Sequence, residues 1–200
     1  RNRQYRKRII HLSIETSMSA TIGEWEEVSR EEVFKKYGRS IEKVVFRLPD
    51  GHEADFYLRN GQGSIACLAL TKENQVILVR QFRPGPKRIL LELPGGGVQP
   101  GESMEAAMAR ELLEETGYAG EVRFVTSVLP DAYAVFRKNA LIVTDCEKKA
   151  EPQSEDNGEI VEAVLMPIEE FRAYLRTGQL TDVEIAYLGL DRLGLLQSSV

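Results

Sequence analysis

The sequence is short of the residues that most often hold transition metals or staple small folds. It has two histidines, His11 and His52, and two cysteines, Cys67 and Cys146. A histidine-based metal centre and a disulfide framework are therefore excluded as organising features. Cys67 sits in the apolar run IACLAL and is expected to be a buried free thiol. No apolar run approaches the roughly 20 residues that a membrane-spanning helix needs. Positive charge is not in excess either. The net charge is −5 over 200 residues, which argues against a nucleic-acid surface across the whole protein. Internal repeats and low-complexity segments are absent. An apolar fraction of 42% is enough for one compact domain, or for one domain with a small appendage. Arg1, Arg3, Arg6, Lys7 and Arg8 crowd the first eight positions, with no acid before Glu15. No apolar core of a secretory signal accompanies them. A mobile tail or a first strand over residues 8–12, in a cytoplasmic protein, is expected.

What the sequence does have is concentrated in residues 95–118, GGGVQPGESMEAAMARELLEETGY. A glycine loop runs into a helix expected from Ser103 to Thr116. Glu102 and Glu105 suit its positive N-terminal end, and Gly117 suits the left-handed residue that closes it. Met104, Ala107, Met108 and Leu112 would turn to the core. Glu111, Glu114 and Glu115 fall on nearly one face of a 3.6-residue helix. Like charges so placed repel by roughly 0.2–0.5 kcal/mol per pair. A solvated acidic face is the ordinary explanation. The alternative is that a divalent cation neutralises the cluster, because carboxylate oxygen is what hard Mg²⁺ or Mn²⁺ prefers.

Before this stretch, residues 21–60 are expected to form a small N-terminal unit. It would hold a short helix over 30–37, a strand over 43–48, a turn at Pro49-Asp50-Gly51 and a returning strand over 54–58. Central strands are expected over 64–70 and 75–81, and a short one over 89–93. After the helix come strands over 121–129 and 140–145, joined by a loop over 130–138 near the site. A polar stretch then carries Glu147, Glu151, Glu155, Asp156 and Glu159, with Asp145 just before it. A strand over 160–166 and a helix over 168–176 follow. Thr181-Asp182-Val183-Glu184 reads as a capping box opening a last helix.

The spacing decides between the two readings of the acidic helix. Gly96, five residues, Glu102, seven residues, then Arg110-Glu111-Leu112-Leu113-Glu114-Glu115-Thr116-Gly117-Tyr118 resembles the Nudix box. Tyr118 is the one soft position, where that family more often has an aliphatic residue. Chance agreement at the seven fixed polar or glycine positions is on the order of 10⁻⁹ per starting point. The flanking strings LPDG, LALTKENQVILVRQFRPG, LLELPGGGVQPGES and DNGEIVEAVLMPIEEF are similar to the ADP-ribose pyrophosphatase branch of Nudix hydrolases.

The resemblance implies an α/β fold: an α/β/α sandwich with a mixed central sheet over 61–200, plus a tail and a small β subdomain for dimerisation over 1–60. It implies a pyrophosphohydrolase, in which water attacks one phosphorus of a nucleoside diphosphate derivative. Two or more Mg²⁺ or Mn²⁺ ions would assist, held by Glu111, Glu114, Glu115 and the Gly95 carbonyl. Arg110 and Glu102 would orient these carboxylates. Glu159 is nearest the place of the general base, with Glu155 and Asp156 as rivals. Arg83 is favoured over Arg80 as the phosphate grip, since guanidinium binds phosphate bidentately. Glu92 would hold ribose hydroxyls or support the glycine loop. Trp25, with Phe46 or Tyr57, is the candidate for base stacking at a homodimer interface. The loop at Pro130, with Tyr133, Phe136 and Arg137 and no glycine, departs from the branch. It leaves GDP-mannose or another ADP-linked compound open as substrate beside ADP-ribose, and a dinucleotide or coenzyme as a further alternative. A non-catalytic ligand-binding Nudix domain is the remaining alternative. No nucleic-acid or membrane partner is implied.

Overall fold

The computed structural model describes residues 22–153 and 160–197. Its elements are β1 (Glu26–Lys36), β2 (Arg39–Arg47), β3 (Glu53–Gly61), β4 (Ser64–Thr71), β5 (Gln75–Arg83), β6 (Arg88–Glu92), β7 (Gly95–Gly97), α1 (Met104–Thr116), β8 (Tyr118–Val128), β9 (Lys138–Lys148), β10 (Glu162–Pro167), α2 (Ile168–Leu175) and α3 (Val183–Arg192).

Strand β4 shows how the main layers arise. Its apolar residues do not alternate with polar ones, so neither face can be left to water. Ile65, Cys67 and Ala69 pack with Ala107, Met108 and Leu112 of α1. Ala66, Leu68 and Leu70 point the other way, to Phe171 and Leu175 of α2 and Ile185, Ala186 and Leu190 of α3. The result is an α/β/α sandwich. The sheet runs β10-β5-β4-β9-β8, with β6 on β5 and β7 on β4. It is mixed, since β4 and β9 are parallel and the other pairs antiparallel. Cys67 is a buried free thiol, and burial pushes its pKa well up.

β1, β2 and β3 form a separate antiparallel sheet. Here the structure corrects the expected helix over 30–37, because β1 pairs with β2 from Glu26↔Arg47 to Lys36↔Arg39. The segment is rich in helix-favouring Glu and Lys, but cross-strand pairing overrides that weak preference. Bulges at Glu27/Ser29 and Glu32/Phe34 also break the two-residue period that would have revealed a strand. Two smaller expectations change as well. Met104, in the first turn of α1, is 36% exposed rather than core. The capping box does not form: Asp182 precedes α3 without a side-chain cap bond, and Thr181 and Glu184 are engaged elsewhere.

Candidate active site

The central sheet opens at one place. β4 and β5 pair only at Ala69↔Ile77 and Leu70↔Val76. Beyond that they diverge, β5 taking β6 from Val79 to Arg83 and β4 taking β7 from Ser64 to Ala66. Strands that part inside a sheet leave backbone and side chains facing an opening, a natural ligand site. A cleft of about 770 Å³ lies there. Ser64 to Ala66, Gln81, Arg83, Glu92 and the three glycines of β7 line it, with Tyr37, Gly38 and Arg39 from the β1–β2 turn and Thr181 and Asp182 from before α3.

Two of the three glycines of β7, Gly95 and Gly96, are pressed from two sides. A Cβ on Gly95 would overlap the backbone of Ile65 and Ala66, and one on Gly96 would overlap the Glu111 carboxylate. Behind this strip lies α1, capped by Ser103, whose hydroxyl accepts from Ala106 N–H, and ended by Gly117 at φ 75°. Residues of α1 meet the glycines one by one. Gly95 N–H donates to Glu115 Oε2 at 3.0 Å, Glu111 lies against Gly96, and Arg110 Nη2 donates to the Gly97 carbonyl at 3.1 Å. Glu115 thus reaches the cleft itself, while Glu111 lies one thickness of backbone behind it.

Arg110 gathers the acids of α1. Its Nε and Nη2 take both oxygens of Glu102 at 3.1 Å, and its Nη1 donates to Glu111 Oε1 at 2.9 Å and Glu114 Oε2 at 3.0 Å. The hydrogen bonds to Glu102 lead in raising the arginine pKa, and the same contact holds the Glu102 carboxyl below its ordinary range. Among the described residues, no three Asp, Glu, His or Cys side chains already converge on one point as a metal cage. The donor set nonetheless suits a hard divalent cation. Glu115 and Glu111 lie against Gly95 and Gly96, where a Cβ would not fit, and one arginine Nη1 joins Glu111 to Glu114 on the same helix.

On the cleft side, the period of β5 sorts its polar residues. Gln81, 6% exposed, and Arg83 face the opening. Arg80 points away and pairs with Glu162 at the surface. Glu92 is 4% exposed. Its Oε2 accepts from Arg83 Nε at 2.5 Å and its Oε1 from the Thr181 hydroxyl at 2.7 Å. Trp25 does not line the cleft. It packs on the N-terminal sheet against Phe46 and Phe56, with ring centroids at 6.0 and 5.1 Å. Tyr57 is 56% exposed. The loop with Tyr133, Phe136 and Arg137 runs along β3, where Arg59 N–H donates to Tyr133 O and Arg59 pairs with Asp131. Glu155, Asp156 and Glu159 lie outside the described residues.

Among the cleft residues that the sequence did not point to are Tyr37, Arg39, Gln81, Thr181 and Asp182. For Tyr37 and Arg39 a signal was present in Gly38, since Tyr37 at φ 51° and Gly38 at φ 70° form a tight hairpin turn that places both neighbours. Thr181 and Asp182 carried a signal that pointed to helix capping instead.

The chain belongs to the Nudix hydrolase family: residues 61–184 match the NUDIX domain. Among its relatives, the ADP-ribose pyrophosphatase of Bacillus subtilis (strain 168) is 27% identical over 164 residues, 80% of this chain and 88% of that protein. The methanol dehydrogenase activator of Bacillus methanolicus is 26% identical over 175 residues, 82% of this chain and 92% of that one. The ADP-sugar pyrophosphatase of Mus musculus is 62% identical over a shorter stretch of 47 residues, 24% of this chain and 22% of that protein. A crystal structure of an ADP compounds hydrolase superposes with a TM-score of 0.70 at 17% identity, covering 88% of this chain and all of that one. That last likeness speaks for the fold.

Proposed function

We propose that this Nudix hydrolase is a divalent-metal-dependent pyrophosphohydrolase that cleaves the diphosphate of ADP-ribose, or of a related nucleoside diphosphate sugar, into a nucleoside monophosphate and a sugar phosphate. One observation carries the reading: Arg83 faces a cleft lined by the glycine strip and Glu115, with Glu111 against Gly96 behind it. A diphosphate in this cleft meets a guanidinium on one side and the donor set for Mg²⁺ or Mn²⁺ on the other. The names of the Bacillus subtilis and Mus musculus relatives support an ADP-linked sugar.

When bound to Glu111, Glu114, Glu115 and the Gly95 carbonyl, the cations, two or more, supply charge neutralisation of the diphosphate and an acidified water. The rest belongs to the chain. Arg83 binds a phosphate oxygen pair through its terminal nitrogens. Arg110 and Glu102 hold the carboxylates of α1 in place. Glu159 accepts the proton of the attacking water. The N-terminal sheet joins a second copy of the chain in a homodimer. Its β1 is exposed along its whole length and carries Val28, Val33 and Phe34, and Trp25 stacks the nucleobase at that interface.

The test is a panel of ADP-ribose, ADP-glucose, GDP-mannose and dinucleotides with Mg²⁺ or Mn²⁺, reading released phosphomonoester. ADP-ribose or ADP-glucose should be turned over far faster than the others. Preference for GDP-mannose or a dinucleotide would refute the substrate class, and no metal-dependent turnover of any compound would refute the reaction.

A further inference from the structure

Glu92 is a cleft carboxylate with both oxygens held inside the chain. Arg83 Nε takes Oε2 and the Thr181 hydroxyl takes Oε1. Arg83 is fixed through Nε alone. Its two terminal nitrogens make no hydrogen bond to a described residue, and its side chain is 41% exposed toward the cleft. These terminal nitrogens form the edge of the guanidinium that grips a phosphate in two parallel bonds.

A carboxylate held at one oxygen can turn about its stem, whereas one held at both cannot. The second hold on Glu92 comes from Thr181, and Thr181 is itself pinned on either side. Leu180 before it is 4% exposed in the core. Asp182 after it accepts Lys138 Nζ at 2.6 Å, and Glu184 accepts the same nitrogen at 2.9 Å. Burial draws the Lys138 pKa down, but these hydrogen bonds outweigh it and the lysine stands above its ordinary value. Lys138 opens β9 and pairs with Ser64 of β4. The threonine hydroxyl is thereby referred to the central sheet.

We propose that Thr181 is a positioning residue for anion binding: its hydroxyl fixes the Glu92 carboxylate, which aims Arg83 so that both terminal nitrogens face the substrate phosphate. The inference rests on the cleft being the diphosphate site. It explains why the hydroxyl goes to Glu92 although it stands where a capping box would have used it.

The experiment is a double-mutant cycle, with binding of α,β-methylene adenosine diphosphate in Mg²⁺ read by calorimetry. Thr181→Val should weaken binding about five- to tenfold, part of what a charged hydrogen-bond pair contributes. In steady state on ADP-ribose it should raise KM by a similar factor and leave kcat within about threefold. Thr181→Ser should restore affinity. In an Arg83→Gln background Thr181→Val should cost nothing more, since the two act through one contact. Thr181→Ala repeats the test should the valine variant fold poorly. Undiminished affinity in Thr181→Val, or a loss that adds in full to that of Arg83→Gln, would overturn the proposal. The functional reading fails separately. Wild-type protein that binds the analogue with this coupling intact, yet hydrolyses no nucleoside diphosphate compound, would refute the reaction and leave the positioning role standing.

Discussion

β1 and β7 are both strands, and they are opposites. β1 has eleven residues, every one exposed, with Phe34 at 58% and Val33 at 44%. β7 has three, pressed by β4 on one side and by Glu111 on the other. A strand that no described residue covers is open to a partner on its face. A strand pressed from two sides has its sequence dictated from within. The contrast separates the proposed phosphate chemistry from the proposed pairing with a second copy of the chain, and each half can be tested alone.

The largest effect belongs to the glycine side. Glu115→Gln removes a carboxylate that is 7% exposed and bonded to Gly95 N–H. Mg²⁺-dependent turnover should fall roughly 10³-fold, the several kcal/mol of charge stabilisation that a metal site supplies, with the fold intact by circular dichroism. A variant keeping most of its turnover would sink the metal assignment. Gly96→Ala comes next. Its methyl meets the Glu111 carboxylate, the far end of a flexible side chain, so Glu111 should be displaced and turnover should fall about 10²-fold, with little change in melting temperature. Arg83→Gln should raise KM about ten- to a hundredfold, from the loss of charged hydrogen bonds of about 1.5–3 kcal/mol. An unchanged KM would move the anion grip elsewhere.

The β1 side should answer a different measurement. If β1 is the dimer face, Phe34→Asp should halve the mass seen by light scattering, through a dimer weakened about ten- to a hundredfold by losing one buried aromatic. A wild-type protein of single-chain mass would end that idea. The smallest effect lies away from both strands. Lys149 and then Lys72 hold the Glu147 carboxyl down to about 2, from an ordinary 4.5. A lowered folded-state value means the contribution is fully present above pH 4.5 and fades as pH falls through that value toward 2. Glu147→Gln should flatten the fall in urea midpoint across that window. The difference should be small and vanish in high salt, because the pair is half exposed.

The same contrast explains what the sequence disclosed. α1 and its glycines were legible because charge repulsion, capping and close approach each restrict residue type at fixed spacing, and all three agree over residues 95–118. The buried strands β4 and β5 were legible from unbroken apolar runs. β1 was misread because its bulges hide the period and no described residue covers it. Thr181 and Glu184 were misread because capping is a local rule, while their partners Glu92 and Lys138 are 89 and 46 residues away. Arg83 was favoured over Arg80 in the sequence, and the pleat of β5 supplies the physical reason by sending one to the cleft and the other to Glu162.

The third glycine of β7 has a future that its neighbours lack. Gly97 also lines the cleft, yet a Cβ there would meet nothing within 4 Å, and its backbone needs no glycine-only angle. A saturation library should return almost only glycine at 95 and 96 and a broad set of residues at 97. A side chain at 97 would therefore grow into the cleft from one open position in an otherwise closed strip, without meeting Ile65, Ala66 or Glu111 behind its neighbours.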